Sequence, residues 1–600
     1  MELRLRYLIL MVVLVVIVNI LATVKIFQSN KLYSQLSLFH KYQHSQLWNT
    51  TSSKQKLEFP NKENITSNSS KKLSLKTDNS GNPLIYNYGK NNLSLKGENG
   101  SGVILKPKEE EKAKILSEEY NVNVYISDLI PLNRMVPDSR PVGCKNQTFD
   151  ESYMPQAAAI VTVYNEWPSI LLRTIYSIIN RTPRNLLKEI IIVDDNSDLE
   201  FYKEYLDIYI KDHFDTDLVK LIRLKERGGL IKARMEAIKY VTAEVVCILD
   251  SHMEVNINWL QPLLVEIMKN RSTLAMGQLD YINRNTFKYE FNRDYKTRYG
   301  FNWDFKFFEQ YFRPDQMLNK KVTDTLPGPV IVGAGFAMDV KFFRKIGLYD
   351  PKMAIWGGEN LELSWRVWCC GGQVLHVFCS HFGHIARYQP YSFPRDRLHT
   401  EVYNYKRAAD VWLGPYKKYV YNYFPLMRDM DVGDLSDRLR IKNELKCKNF
   451  DWYLDNIWPE LFRFDVNVTA SGELRNKATQ RCLDNYKQLY PSRQKLLVIP
   501  CSNIILRQGF SITYEKWLRT SLNCISTDCV SKTYCYAVVA DCFLGVSNKW
   551  EHKDGFVKHL NTGLCLDLEK NFVAILQPCN SKQATQQWSF IQIPIDRKRI

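Results

Sequence analysis

Hydrophobic and polar positions divide the chain into regions of different character. Tyr7 to Val24 is apolar apart from Asn19 and Thr23, long enough to predict a membrane-crossing helix. Arg4 and Arg6 precede it, a flank that favours a cytosolic N-terminus of residues 1–6 and a signal-anchor over 7–24. A cleaved signal peptide is the other reading of the same stretch. From Lys25 to about Lys108, Asn, Ser, Lys and Gly crowd out apolar periodicity, which predicts a stem, bounded at 25–122. Within it, Glu109–Glu119 is charged and open to a helical reading. Between Ala157 and Asp195 the pattern becomes strand, turn, amphipathic helix and strand: AAIVTVYNEWPS, then SILLRTIYSIINRTP closed by Pro183, then KEIIIVDDNS. Val241–Glu254, VTAEVVCILDSHME, is a further apolar run ending abruptly in Asp250, Ser251 and His252. Such units predict an α/β domain of Rossmann-like kind with its site at the strand ends.

Composition changes the picture in one respect. Lys and Arg number 81 against 64 Asp and Glu, a formal charge of +17. No compact basic and aromatic tract accompanies that charge, so nucleic acid is excluded as a partner; an anionic substrate or an acidic membrane surface suits it as well. Acceptor triplets for N-glycosylation begin at Asn49, Asn64, Asn68, Asn92, Asn99 and Asn146, which agrees with exposure to a secretory lumen.

The chemistry concentrates at strand ends. Asp250 and His252 are two apart, so an extended backbone sends both side chains the same way, and the pair suits Mn2+, Mg2+ or Zn2+. IIIVDD repeats the arrangement at Asp194 and Asp195, either of which can accept hydrogen bonds from a base or ribose. No GxGxxG loop is present, so a cradle of backbone amides for phosphate is not indicated and a metal is needed there. RGGLIKAR (227–234) predicts a turn and helix with Lys232 and Arg234 at the nucleotide edge. Farther on, WGGEN offers Glu359 and Asn360 to a sugar or acceptor. His381 and His384 follow a strand pattern, and at most one faces the metal. Cys369 and Cys370 read as disulfide cysteines, since no second CxxC completes a zinc site.

In this order, VDD, RxGLIxAR, DSH, WGGENLE, CSxxGH and PYxFP resemble the polypeptide N-acetylgalactosaminyltransferase family, from about Asn123 to the C-terminus. The resemblance implies a GT-A type catalytic domain (123–450), a linker (451–475) and a ricin-type β-trefoil lectin domain (476–600). It implies Mn2+ on Asp250, His252 and His384, with His381 excluded. UDP-GalNAc is the implied donor: uridine at Thr162 and Asp195, the nucleotide or diphosphate at Arg227, Arg234 and Arg387, the sugar near Ala334 and Glu359. Trp356 and Tyr391 belong to mobile active-site loops. Retaining transfer of N-acetylgalactosamine to Ser or Thr of a polypeptide or glycopeptide is the implied reaction, in a single-pass type II Golgi membrane protein. The chain departs from the family at Tyr164 (usually His), Gly228 (usually Glu), FNW at 301–303 (usually FDW), GAGF at 333–336 and Gly414–Pro415. A weak or inactive homologue that acts as a glycopeptide-binding lectin is therefore the alternative.

The C-terminal region carries a threefold echo at about 40-residue spacing. CLD at Cys482, CIS at Cys524 and CLD at Cys565 recur, in phase with QGF at Gln508, NKW at Asn548 and QQW at Gln586. Asp484 with Asn503, and Asp567 with Asn580, are the candidate sugar-binding pairs, Asp484 expected to dominate. Ser526 makes the middle repeat the poorest. By resemblance Cys144 pairs with Cys379 and Cys370 with Cys447, while Cys482–Cys501, Cys524–Cys542 and Cys565–Cys579 close the repeats and Cys529 and Cys535 are extra partners.

Overall fold

The computed structural model describes residues 95–291, 296–388, 392–393, 395–543 and 548–594, leaving out the side chains of 115 and 116. All of them belong to one compact unit. The span expected over 7–24 lies outside the described residues, and among the described residues no helix is long and apolar enough to cross a membrane. The expectation of a transmembrane signal-anchor, and with it of an anchored type II Golgi membrane protein, is accordingly not retained. Of the expected stem, 95–122 is folded onto the body: helix Pro107–Tyr120 forms, and Val103, Tyr120 and Val122 are buried with Ile170, Ile282 and Phe287.

The first half is built on a mixed sheet. Its strands are β1 (Ala157–Val163), β2 (Leu187–Asp194), β3 (Val219–Arg223), β4 (Val245–Asp250), β5 (Met253–Val255), β6 (Thr273–Ile282), β7 (Tyr289–Glu290), β8 (Thr297–Phe301), β9 (Phe307–Tyr311), β10 (Leu326–Pro327), β11 (Phe336–Asp339) and β12 (Gln373–His384). The order is β10-β12-β6-β11-β4-β1-β2-β3, with β5 on β12 and β7 on β6; β8 and β9 form a separate hairpin. Strands β4, β1, β2 and β3 run parallel, and β11 enters antiparallel between β4 and β6. The central parallel strands β1 and β4 are buried on both faces and so read as apolar runs, and successive residues divide between two cores. On β1, Ala158 and Ile160 enter one core while Ala159 and Val161 enter the other; Ile248 and Leu249 divide the same way on β4. Helix Pro168–Arg181 opens on a proline at its first turn, where no N–H is required, and buries Leu171, Leu172, Ile175 and Ile178.

The second half, from Val468, is an antiparallel array of short strands, a β-trefoil. Its core holds the aromatic of each repeat, Phe510, Trp550 and Trp588, all fully buried. The repeat symmetry extends to hydrogen bonds: Trp550 Nε1 donates to Ile525 O at 2.8 Å and Trp588 Nε1 to Leu566 O at 2.9 Å. Disulfides join Cys482–Cys501, Cys524–Cys542, Cys529–Cys535 and Cys565–Cys579 here, and Cys144–Cys379 and Cys370–Cys447 in the first half. Cys369, read as a disulfide cysteine, is instead a free thiol buried in the core, since Cys447 is taken by Cys370.

Candidate active site

Parallel strands deliver polar groups where their hydrogen-bonded runs end. Thr162 on β1 and Asp250 on β4 are register partners, so both emerge at one edge of the sheet. After Asp250 the chain turns through Ser251 and His252 into β5, which pairs antiparallel with the end of β12 and sets His384 against Met253. Ile385 N donates to His252 O at 3.2 Å and fixes the junction. The result brings ligand atoms of Asp250, His252 and His384 within 4.8 Å of one another. Burial raises the Asp250 carboxyl, but the hydrogen bond from His384 and the charges of Arg234 and His252 outweigh it and hold it well below the usual range. Burial lowers the His384 imidazole and favours the neutral form a metal requires.

Glu166, which the sequence reading passed over, organises this edge. It is buried, and its Oε2 lies 3.0 Å from His252 Nδ1, 2.5 Å from Arg387 Nη2 and 3.2 Å from Ser251 Oγ. Burial would raise this carboxyl; the charge of Arg387 and the hydrogen bond from His252 bring it down to about 2. The signal in the sequence was an acid in the first strand-to-helix turn, NEW, otherwise indistinguishable from a solvated turn.

A cavity of 230 Å3 opens over these groups, lined by Thr162, Tyr164, Asp195, Arg227, Arg234, Ala334, Trp356, Glu359 and Arg387 besides the triad. Asp195 accepts from Gly228 N at 2.6 Å and Gly229 N at 2.8 Å, and burial raises its carboxyl. Asp194 turns away to cap Ser197 N, and Lys232 is exposed and does not line the cavity. Arg234 is fully buried; Nη2 reaches Asp250 at 3.0 Å. Its Nε and Nη1, and Thr162 Oγ1, are buried without a hydrogen-bond partner among the described residues.

On the other side Glu359 accepts from Gly357 N at 2.9 Å, with burial raising its carboxyl. Asn360, expected to face a sugar, is committed to Ile331 O. Ala334 sits between Gly333 and Gly335, both at positive φ, and puts a methyl on the wall. His381 is turned to Asp280 and Phe378 O, away from the triad. Tyr391 lies outside the described residues.

In the trefoil, Asp484 is fully buried and its Oδ2 accepts from Gln508 Nε2 at 3.0 Å; Asp567 and Gln586 repeat the bond at 3.1 Å. Their other oxygens accept backbone amides, Tyr486 N for Asp484 and Leu568 N for Asp567. Arg507 forms an ion pair with Asp484 at 3.0 Å, and among the described residues none of the bonds to Asp567 comes from a cation. Asn580 is exposed, whereas Asn503 is partly buried.

Residues 158–347 match the model of glycosyl transferase family 2, and 470–588 match the ricin-type β-trefoil lectin domain. Polypeptide N-acetylgalactosaminyltransferase 13 of Homo sapiens is 37% identical over 499 residues, 82% of this chain and 88% of that one. The chain belongs to the polypeptide N-acetylgalactosaminyltransferase family. Polypeptide N-acetylgalactosaminyltransferase 5 of Caenorhabditis elegans is 35% identical over 514 residues, 84% of this chain and 81% of that one. Among solved structures, GalNAc-T7 with UDP, GalNAc and Mn2+ matches at 31% identity and a TM-score of 0.58, covering 83% of this chain and 92% of that chain.

Proposed function

We propose that this family member transfers N-acetylgalactosamine from UDP to Ser or Thr hydroxyls of polypeptides, with retention of configuration. The observation that carries the reading is the convergence of Asp250, His252 and His384 in a cavity shared with Thr162, Asp195, Arg234 and Glu359. One carboxylate and two imidazoles form a donor set suited to Mn2+. With His252 Nδ1 turned to Glu166, the ring is oriented to offer Nε2 as ligand. A bound ion would neutralise the diphosphate as it departs.

The remaining roles belong to the chain's own groups. Among the described residues Arg234 Nε and Nη1 are buried donors without acceptors, and a diphosphate oxygen would satisfy them. Thr162 Oγ1 is similarly suited to the uridine, beside Asp195, whose carboxylate is already aimed by two amides. Glu359, aimed by Gly357 N, serves to position the sugar and acceptor rather than to form a covalent intermediate. Transfer on one face follows when the departing phosphate takes the proton of the acceptor hydroxyl, with Arg387 supporting its charge.

Purified protein with Mn2+, UDP-GalNAc and matched bare and glycosylated peptides tests this reading by product mass. Sugar addition that requires both metal and peptide, and that is abolished in a folded His252→Ala variant, is the expected result. Retention of glycopeptide on the trefoil with no product from any acceptor would favour the lectin reading and reject the transferase one.

A further inference from the structure

The first repeat of the trefoil is engaged with the catalytic half. Tyr490 OH donates to Glu309 O at 2.8 Å, and its ring meets Phe308 edge-on at 5.6 Å. Both partners lie on the hairpin β8–β9, and the adjacent Phe307 lines the cavity. Lys487 lies over the Tyr423 ring at 4.3 Å. Asn422, fully buried, donates to Asn503 O at 3.0 Å and accepts from Ile505 N at 2.9 Å. Ile505 and Leu506 join the hydrophobic core of the catalytic half itself. Of the carboxylates that mark the first and third repeats, the one on this docked side is the one neutralised by an arginine, Arg507.

The same hairpin is held from elsewhere. Trp458 Nε1 donates to Phe301 O at 3.0 Å and Trp303 Nε1 to Phe462 O at 3.0 Å, tying it to the segment that leads into the trefoil. Arg313, just past β9, stacks at 4.7 Å on Phe543 of the middle repeat. The hairpin is thus clamped between the trefoil and the cavity wall.

We propose that the first repeat is an internal docking face rather than a saccharide site, and that Tyr490 on it is a positioning residue that fixes the Phe307 wall of the cavity. A saccharide needs an uncompensated carboxylate and an approachable amide to orient its hydroxyls. Asp484 has its charge offset by Arg507, and Asn503 is partly buried on a segment held to the catalytic half through Asn422. Asp567 and Asn580 keep both requirements, so binding of GalNAc falls to the third repeat.

The test uses the full chain, with immobilised GalNAc as the probe. Asp567→Asn alone should abolish retention, because no second saccharide site remains; residual retention by that variant would overturn the assignment of the first repeat. Asp484→Asn, where it folds, should retain GalNAc as wild type does. Hydrogen exchange across 297–311 decides the docking claim whether or not wild type retains GalNAc or turns over. Tyr490→Phe, which removes the hydrogen bond to Glu309 O, should speed exchange there by about two- to ten-fold, and Tyr490→Ala by more. Unchanged exchange in both would overturn it. The kinetic arm rests on the transferase reading: Tyr490→Ala should raise the KM for the peptide acceptor while leaving that for UDP-GalNAc unchanged. Failure of all turnover in wild type would count against that reading and leave the exchange result standing.

Discussion

Glu166 Oε2 lies 3.0 Å from His252 Nδ1, which makes a buried carboxylate in the first strand-to-helix turn the orienting partner of an imidazole at the end of the neighbouring strand β4. The same oxygen holds Arg387, so one group sets both a candidate metal ligand and a candidate diphosphate contact. Glu166→Gln keeps the volume and removes the charge. Mn2+ affinity is expected to fall by about 10- to 100-fold, measured by titration calorimetry on the unliganded protein. Unaltered affinity would mean that His252 needs no orienting partner.

Asn404 supplies a second test, this time of the loop that carries Trp356. Its Oδ1 accepts from Ala354 N at 2.8 Å, and its Nδ2 donates to Ala354 O, Trp356 O and Gly357 O at 2.8, 3.2 and 2.9 Å. Asn404→Asp replaces that donor with an oxygen that faces three carbonyls, in a site closed to water. The variant should lose about 2–4 kcal/mol in denaturant unfolding, and its turnover should fall with the loosening of 354–357. Wild-type stability in Asn404→Asp would refute the clamp.

How much of this was legible in the sequence depended on range. The parallel strands were legible because burial on both faces demands unbroken apolar runs such as IIIV and VVCIL, and Asp250 and His252 announced themselves by ending one. His384 was legible only through the CSxxGH resemblance, since the pairing of β5 with β12 that delivers it joins segments far apart in the chain. Glu166 gave no periodic signal, because a turn acid looks alike whether it is solvated or buried against Arg387. The fold of 95–122 was hidden by its polar composition, with Tyr120 and Val122 too few to mark a core. Asp484 and Asp567 looked equivalent in CLD, and Arg507 separates them only in three dimensions.

Glu309 predicts a dependence of stability on pH. Burial pushes its carboxyl up from 4.5 to about 7, against the hydrogen bond it accepts from Thr297 Oγ1. A carboxyl raised in the folded state binds its proton more tightly there than when unfolded. Its contribution is therefore fully present below 4.5 and is lost as pH rises through about 7. Glu309 is partly exposed, which reduces the effect to about 1–3 kcal/mol. Denaturant unfolding of wild type and Glu309→Gln across this window should show the variant with the shallower slope; parallel curves would remove Glu309 as the source.

Tyr164 carries the last prediction, at the position where the family usually has His. Its ring lies 4.1 Å beneath the Arg227 guanidinium, and its hydroxyl donates to Asp198 at 3.1 Å. Both side chains line the cavity beside Asp195, so the aromatic face holds the arginine at the nucleotide edge. A cation over an aromatic ring contributes about 0.5–2 kcal/mol, which as a binding term is about two- to thirty-fold in affinity. Tyr164→Ala should raise the KM for UDP-GalNAc within that range and leave the KM for the peptide unchanged. Tyr164→Phe keeps the ring over which Arg227 lies and gives up the bond to Asp198, so it should stay within about two-fold of wild type. If the two variants lose donor affinity equally, the hydroxyl and not the ring positions Arg227; if neither loses any, the stacked pair has no part in binding the nucleotide.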